Sequence, residues 1–225
     1  MVTTHPNPMR LFVLGATGGT GRALVEQGLG RGHSMTAFVR SPQKLAPREG
    51  LTILGGDPLS TKELTRVLPG HDAVFFSLGP PGIGPTTVLR EGARALVPAM
   101  KATGIRRLLV VSAAVLFENE GFIVWLARHT FLRNVYEDGT AMERVFMESD
   151  LDWTFSRPPR LTNGPLTREY RIADGRMPPG TRVVSRNDVA HFLLDEAEQD
   201  EHLHRIVGMA AGKPLPAERP ILRTA

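Results

Sequence analysis

The chain has 225 residues, 41% of them hydrophobic, which is enough to bury a substantial core within one α/β domain spanning 1–225. With no cysteine it can have no disulfide framework, thiolate metal site or cysteine nucleophile. The formal charge of +4 comes from arginines scattered from Arg10 to Arg223 rather than from a dense basic run, which argues for a small anionic ligand and against nucleic acid.

Residues 1–9, with Pro6 and Pro8 where a signal sequence would be apolar, read as a flexible leader. No later segment approaches the length of a membrane span, so a cytoplasmic protein, monomer or homodimer, is expected. Apolar runs then alternate with helix-length amphipathic segments. Strands are expected at Leu11–Leu14, Met35–Val39, Leu51–Leu54, Ala73–Ser77, Leu108–Ser112 and Trp153–Ser156. Helices are expected at Gly19–Arg31, Thr61–Leu68, Thr86–Thr103 and Thr140–Glu148. Such a pattern predicts a doubly wound, parallel Rossmann-type sheet covered on both faces. Beyond Arg157 come short strands at Tyr170–Ala173 and Arg182–Ser185, then a helix opened by Asn187 and Asp188 and running to about Glu198. Residues 157–225 are expected to lie over the carboxyl ends of the sheet as a substrate-side extension.

The turn Gly15-Ala16-Thr17-Gly18-Gly19-Thr20-Gly21 directly follows an apolar strand and opens a helix, the context in which spaced glycines bind a dinucleotide. Gly15 allows a tight turn, Gly18 lets the backbone approach the pyrophosphate, and Gly21 is expected to permit close packing of helix on sheet. Arg40 ends the second strand where an NAD-binding protein would carry a carboxylate, and a guanidinium can take a 2'-phosphate bidentately. NADP(H) is therefore expected over NAD(H), with Arg22 and Lys44 adding charge at the same end; a solvated strand-end arginine is the plainer alternative. Asp57, after the third strand, could accept from the adenine amine or form an Asx turn before Ser60.

With the glycine turn, Val39-Arg40, Gly56-Asp57-Pro58, Leu78-Gly79, Pro85-Thr86-Thr87-Val88, Glu91-Gly92-Ala93-Arg94, Val111-Ser112-Ala113 and Arg157-Pro158-Pro159, the sequence resembles atypical short-chain dehydrogenase/reductases of the biliverdin-IXβ reductase and flavin reductase branch, within the NmrA-like superfamily. That resemblance implies cofactor contacts from Gly15, Gly18, Gly19, Thr20, Arg40, Asp57, Leu78 and Gly79, and it sets Ser112 beside the nicotinamide with Pro158 and Pro159 lining that end. The mammalian reductases carry a histidine after the proline pair where this chain has Arg160, and the apolar segment between Phe117 and Val135 is longer here. Both departures point away from biliverdin.

The Tyr-x-x-x-Lys pair of most short-chain dehydrogenases is missing, since Tyr136 is followed four residues on by Thr140 and Tyr170 by Asp174. Hydride transfer to a flavin, quinone or tetrapyrrole-like acceptor demands less of a protein acid because the nascent anion is delocalised. Ser112 and Arg160 are the candidate catalytic residues. Ser112 could bond the carboxamide, relay a proton or simply cap the next segment; Arg160 could clamp a substrate anion or pair with Asp174. The 117–135 segment is a substrate-side wall, a dimer face or a core helix. No metal site is expected. An NADPH-dependent reductase of a conjugated small molecule is the leading expectation, and a non-catalytic NADP(H) sensor the alternative.

Overall fold

The structure is a computed structural model that describes residues 7–80, 82, 84–118 and 121–213, with the Ile123 side chain left undescribed. Most of the expected leader, residues 119 and 120 of the apolar segment and residues 214–225 of the extension lie outside that range.

Five strands follow the expected order: β1 (Arg10–Leu14), β2 (Ser34–Val39), β3 (Leu51–Gly55), β4 (Ala73–Phe76) and β5 (Arg107–Val111). The connecting helices are α1 (Gly19–Gly30), α2 (Thr61–Val67) and α3 (Val88–Thr103). Next come α4 (Phe122–His129), α5 (Arg133–Met147), β6 (Asp152–Arg157), β7 (Arg160–Thr162), β8 (Tyr170–Asp174), β9 (Val183–Ser185), α6 (Arg186–Gln199) and β10 (Arg205–Ala211). Eight strands form one sheet in the order β3-β2-β1-β4-β5-β6-β10-β8, parallel except for β8, and β7 pairs with β9 in a separate two-stranded sheet. The strand order reverses between β1 and β4, which opens a crevice at their carboxyl ends where α/β folds bind ligands.

Side-chain alternation along each strand assigns the two faces. Leu11 and Val13 of β1 join the cluster with Leu24, Val189 and Leu193 beneath α1 and α6, while Phe12 and Leu14 join Leu64, Leu96 and Phe146 beneath α2, α3 and α5. Helix ends are set by local chemistry. Ser60 Oγ accepts from Glu63 N–H at the start of α2, and Ser185 Oγ accepts from Asp188 N–H at the start of α6. Gly104, at φ 75°, ends α3.

Three differences from the sequence expectations have physical causes. The extension does more than cover the strand ends: β10 enters the sheet beside β6 and carries β8 antiparallel on its edge. Strand β10 contains Gly208, where a Cβ would stand 2.1 Å from the Arg176 carbonyl oxygen, so this weak strand former is required by a close backbone crossing. The apolar segment is two helical pieces, α4 and the first turns of α5, so the helix expected from Thr140 begins at Arg133 instead. The Arg128 guanidinium pins α4, donating to the carbonyl oxygens of Val115 and Phe117 and lying 4.6 Å over the Tyr136 ring. Among the described residues no helix is long and apolar enough to cross a membrane.

Candidate functional site

At the carboxyl end of β1 the chain enters a left-handed turn at Gly15, φ 84°. A Cβ there would stand 2.2 Å from the Ser77 carbonyl oxygen at the end of β4, so only glycine fits. Gly18 donates its N–H to the Gly15 carbonyl and caps α1 without any side-chain bond, and the first helical bond is from Arg22 to Gly18. The N–H groups of Gly19, Thr20 and Gly21 therefore have no acceptor within the helix, and they sit at the positive end of its dipole. A Cβ at Gly21 would lie 2.2 Å from the Gly15 carbonyl oxygen. The close approach that Gly21 permits is thus to the turn itself, which corrects the expectation of helix-on-sheet packing.

A cleft of about 440 Å³ opens over this turn. Gly15, Thr17, Gly18, Gly19 and Thr20 form its floor, Leu78 and Gly79 one side, and Arg40, Ser41 and Lys44 the far end. Among the described residues nothing lies within 4 Å of where a Gly79 Cβ would be. Arg22 ties the two ends of the cleft together, donating to the carbonyl oxygens of Thr17 at 3.1 Å and Lys44 at 2.9 Å. Arg186, the first residue of α6, also lines the cleft, and its Cδ would be 2.4 Å from a Cβ on Gly19. Asn163 Oδ1 accepts from Arg186 Nη1 at 2.7 Å and holds the guanidinium there. Nothing in the sequence marks Arg186, which belongs to a helix far along the chain. Asp57 accepts from Leu59 N–H at 3.0 Å in an Asx turn, and Pro58 rather than Asp57 reaches the cleft. Uncapped N–H groups between Arg186 and the turn, with two cations at one end, fit a dinucleotide whose pyrophosphate lies on the helix start.

A second, apolar cavity of about 720 Å³ adjoins the cleft. Consecutive residues divide the two: Val111 and Leu161 line the cleft, whereas Ala113, Pro158, Pro159 and Arg160 line the cavity, with Val124 and Ala127 of α4 opposite. The apolar segment thereby supplies a wall. Ser112 stands between the two spaces and lines neither; its hydroxyl donates to Glu143 Oε1. That carboxylate, 1% exposed on α5, also accepts from the Arg157 guanidinium, which lies 4.7 Å over the Phe117 ring. Glu143 carried no sequence signal, being one acid among several on an amphipathic helix, and Arg157 was visible only as part of the Arg-Pro-Pro run. Neither tyrosine approaches the cleft lining: Tyr136 lies under Arg128, and the Tyr170 phenol contacts His191 Nδ1 at 3.0 Å, its ionisation pushed upward by burial and by the charges of Asp195 and Asp188.

Glu196, Glu201 and His202 form a close group of the kind that can bind a metal ion, but Glu196 already accepts from His202 N–H and His202 Nδ1 and faces Arg107 at 3.7 Å. The group reads as a cap on the end of α6.

A family model described as NAD(P)H-binding matches residues 15–200. The chain is 29% identical over 206 residues to the uncharacterized protein YwnB of Bacillus subtilis, covering 86% of this chain and 94% of that one. Among solved structures it is similar to a candidate NADH-flavin reductase from Streptococcus pneumoniae, with a TM-score of 0.74 and 22% identity over 90% of this chain and 99% of that one. It is likewise similar to a wide-type short-chain dehydrogenase/reductase from Veillonella parvula in complex with NADP, with a TM-score of 0.74 and 20% identity over 90% and 94% of the two chains. At such identities these two likenesses speak for the fold.

Proposed function

The chain belongs to the NAD(P)H-binding family, and from that premise we propose that it is an NADPH-dependent reductase of a conjugated small molecule of flavin, quinone or tetrapyrrole type. The observation that carries this reading is the apolar cavity beside the glycine-turn cleft, where Val111 and Leu161 line the cleft and Ala113 and Arg160, one or two residues away, line the cavity. A protein that merely sensed the cofactor would need no second chamber there.

When bound, a reduced nicotinamide supplies a hydride, and water can supply the proton that completes a two-electron reduction. The protein's own work is binding and orientation. The first-turn N–H groups of α1 and the Arg186 guanidinium hold phosphate charge. Arg40 and Lys44 support selection of NADP(H) through the 2'-phosphate, which a neutral ribose hydroxyl would not repay. Pro158, Pro159 and the aliphatic faces of α4 and α5 exclude water from an acceptor stacked beside the cleft. Ser112, its hydrogen given to Glu143, helps to fix the wall between the two spaces.

The test is the oxidation of NADPH and of NADH, followed by loss of nicotinamide absorbance, with FMN, menadione and biliverdin as acceptors. Turnover of any acceptor with NADPH supports the reading. Tight NADPH binding with no reduction across the acceptor set would replace it with the sensor reading.

A further inference from the structure

The glycine-turn cleft continues past Arg40 and Gly79 into a side chamber of about 570 Å³, both residues lining the two spaces. Consecutive residues divide them elsewhere, Pro58 lining the cleft and Leu59 the chamber. The start of α3 supplies Val88 and Arg90 to the chamber, and α5 supplies Glu137 and Asp138. One carboxylate ties the two helices together: Asp138 accepts from Leu89 N–H at 3.0 Å and from Arg90 N–H at 3.1 Å, which fixes this wall. The Arg90 guanidinium is held more loosely than its backbone. Its Nε, though buried, has no hydrogen-bond partner among the described residues. It faces Glu91 Oε1 at 3.5 Å in an ion pair whose side chains are 40% and 39% exposed, the kind that contributes little.

Charge separates the two spaces. Among the described residues the cleft is lined by Arg40, Lys44 and Arg186 and by no acid, so phosphates belong there. The side chamber sets Glu137 and Asp138 against Arg40 and Arg90, and it presents the apolar Leu59, Pro85 and Val88 as well. A phosphate would meet two carboxylates in it, and a wholly apolar group would leave charged side chains against hydrocarbon. A neutral heteroaromatic ring suits both halves, because its faces can take an aliphatic side chain and a planar guanidinium while an edge amine donates to a carboxylate. Asp138 is already given to backbone N–H groups. Glu137 Oε1 accepts from Arg133 Nε at 2.7 Å, a bond that leaves a carboxylate with acceptor sites for a second donor. Asp57, the sequence candidate for the adenine amine, is held in its Asx turn and lines neither space.

We infer that the side chamber receives the adenine ring of the dinucleotide, with Arg90 across its face and Glu137 accepting from its exocyclic amine. A dinucleotide whose pyrophosphate lies on the start of α1 and whose 2'-phosphate meets Arg40 and Lys44 carries its base on the ribose beside Arg40, where cleft and chamber join. The inference rests on the NADP(H)-binding part of the function proposed above and not on the reduction. Arg90 and Glu137 thereby set affinity and base specificity, and Arg40 keeps the choice between NADPH and NADH.

The experiment is isothermal titration calorimetry of the full chain with NADPH, NADH and reduced nicotinamide hypoxanthine dinucleotide phosphate, whose base bears a carbonyl oxygen in place of the amine. We expect NADPH to bind the unmodified protein about tenfold more tightly than this analogue, because Glu137 repels a carbonyl oxygen where it would bond an amine. Glu137→Gln, whose amide can donate to that oxygen, should bring the margin down to about twofold or less. Arg90→Ala should weaken NADPH and NADH alike, by roughly fivefold, the worth of a cation–π contact. Thermal unfolding without ligand reports whether each variant has folded. Equal affinity of NADPH and the analogue for the unmodified protein overturns the inference without reference to any variant, as does a margin that Glu137→Gln leaves unchanged. An Arg90→Ala loss confined to NADPH would make Arg90 a 2'-phosphate ligand and overturn it too, and so would no loss for either cofactor. The two readings also fail separately. A preference for the adenine base with no reduction of any acceptor keeps this inference and sinks the reductase, whereas reduction by NADPH with no preference for that base does the opposite.

Discussion

The Ser112 hydroxyl, just past the end of β5, donates to Oε1 of Glu143 on α5 at 2.5 Å. Because Glu143 is also bonded to the Arg157 guanidinium, one buried carboxylate joins the strand end between the two chambers to the residue that precedes the proline pair. The loop carrying Pro158 and Pro159 is thus held by a charge pair at Arg157 as well as by its backbone, the Pro158 carbonyl accepting from Ala114 N–H at 2.8 Å.

Removing one member of that pair leaves the other charged and buried, so Glu143→Ala is expected to cost about 3–5 kcal/mol. Ser112→Ala deletes a single bond and leaves the ion pair intact, for a loss of about 1 kcal/mol. The apolar double replacement Glu143→Leu/Arg157→Met should recover most of the larger loss. Urea unfolding of the four proteins measures this, and a Glu143→Ala loss below that of Ser112→Ala would show that the pair does not hold the loop.

Two arginines in the cleft should separate by which phosphate they answer to. Arg40→Ala is expected to weaken NADPH by roughly 10–100-fold, the worth of a charge-assisted bond, while barely changing NADH. Arg186→Ala, acting where Gly19 begins the helix, should weaken both cofactors alike. Fluorescence titrations with each cofactor decide it; equal loss of NADPH and NADH in Arg40→Ala would remove the 2'-phosphate assignment.

These contrasts mark how far the sequence could be read. The glycine turn and the two faces of β1 were legible because their signals are local and periodic, with Phe12 and Leu14 alternating against Leu11 and Val13. Strand β10 was not, because Gly208 interrupts its apolar run and is explained only once Arg176 is seen crossing it. Likewise Arg186 and Glu143 acquire meaning only from residues far away in sequence, and no spacing rule reaches across an entire sheet.

Helix α3 starts at the N-cap residue Thr87, whose side chain makes no capping hydrogen bond. The buried Asp138 carboxylate on α5 accepts instead from Leu89 N–H at 3.0 Å and Arg90 N–H at 3.1 Å. Asp138→Ala leaves those donors without that acceptor and should cost about 1–3 kcal/mol, while Asp138→Asn retains one acceptor oxygen and costs less. Hydrogen exchange provides a local readout: the amides of Leu89 and Arg90 should lose protection before the rest of α3, and uniform exchange along the helix would contradict a capping role.

Stability at high pH should be governed in part by Tyr170. Burial is the main cause of its raised pKa, the Asp195 and Asp188 charges add to it, and Arg31 opposes them. An unfolded tyrosine ionises near pH ~10, whereas the folded phenol keeps its proton well beyond that point. The contribution is therefore fully present below the unfolded value and declines once the unfolded chain begins to lose a proton that the folded chain retains. The decline is about 1.4 kcal/mol per pH unit for one such group. Tyr170→Phe removes the ionisable group, so its stability should run parallel to that of the unmodified protein below the transition and fall less steeply above it. Denaturant unfolding at a series of alkaline pH values gives both curves, and curves that stay parallel throughout would mean that the phenol ionises as freely in the folded protein as in the unfolded chain.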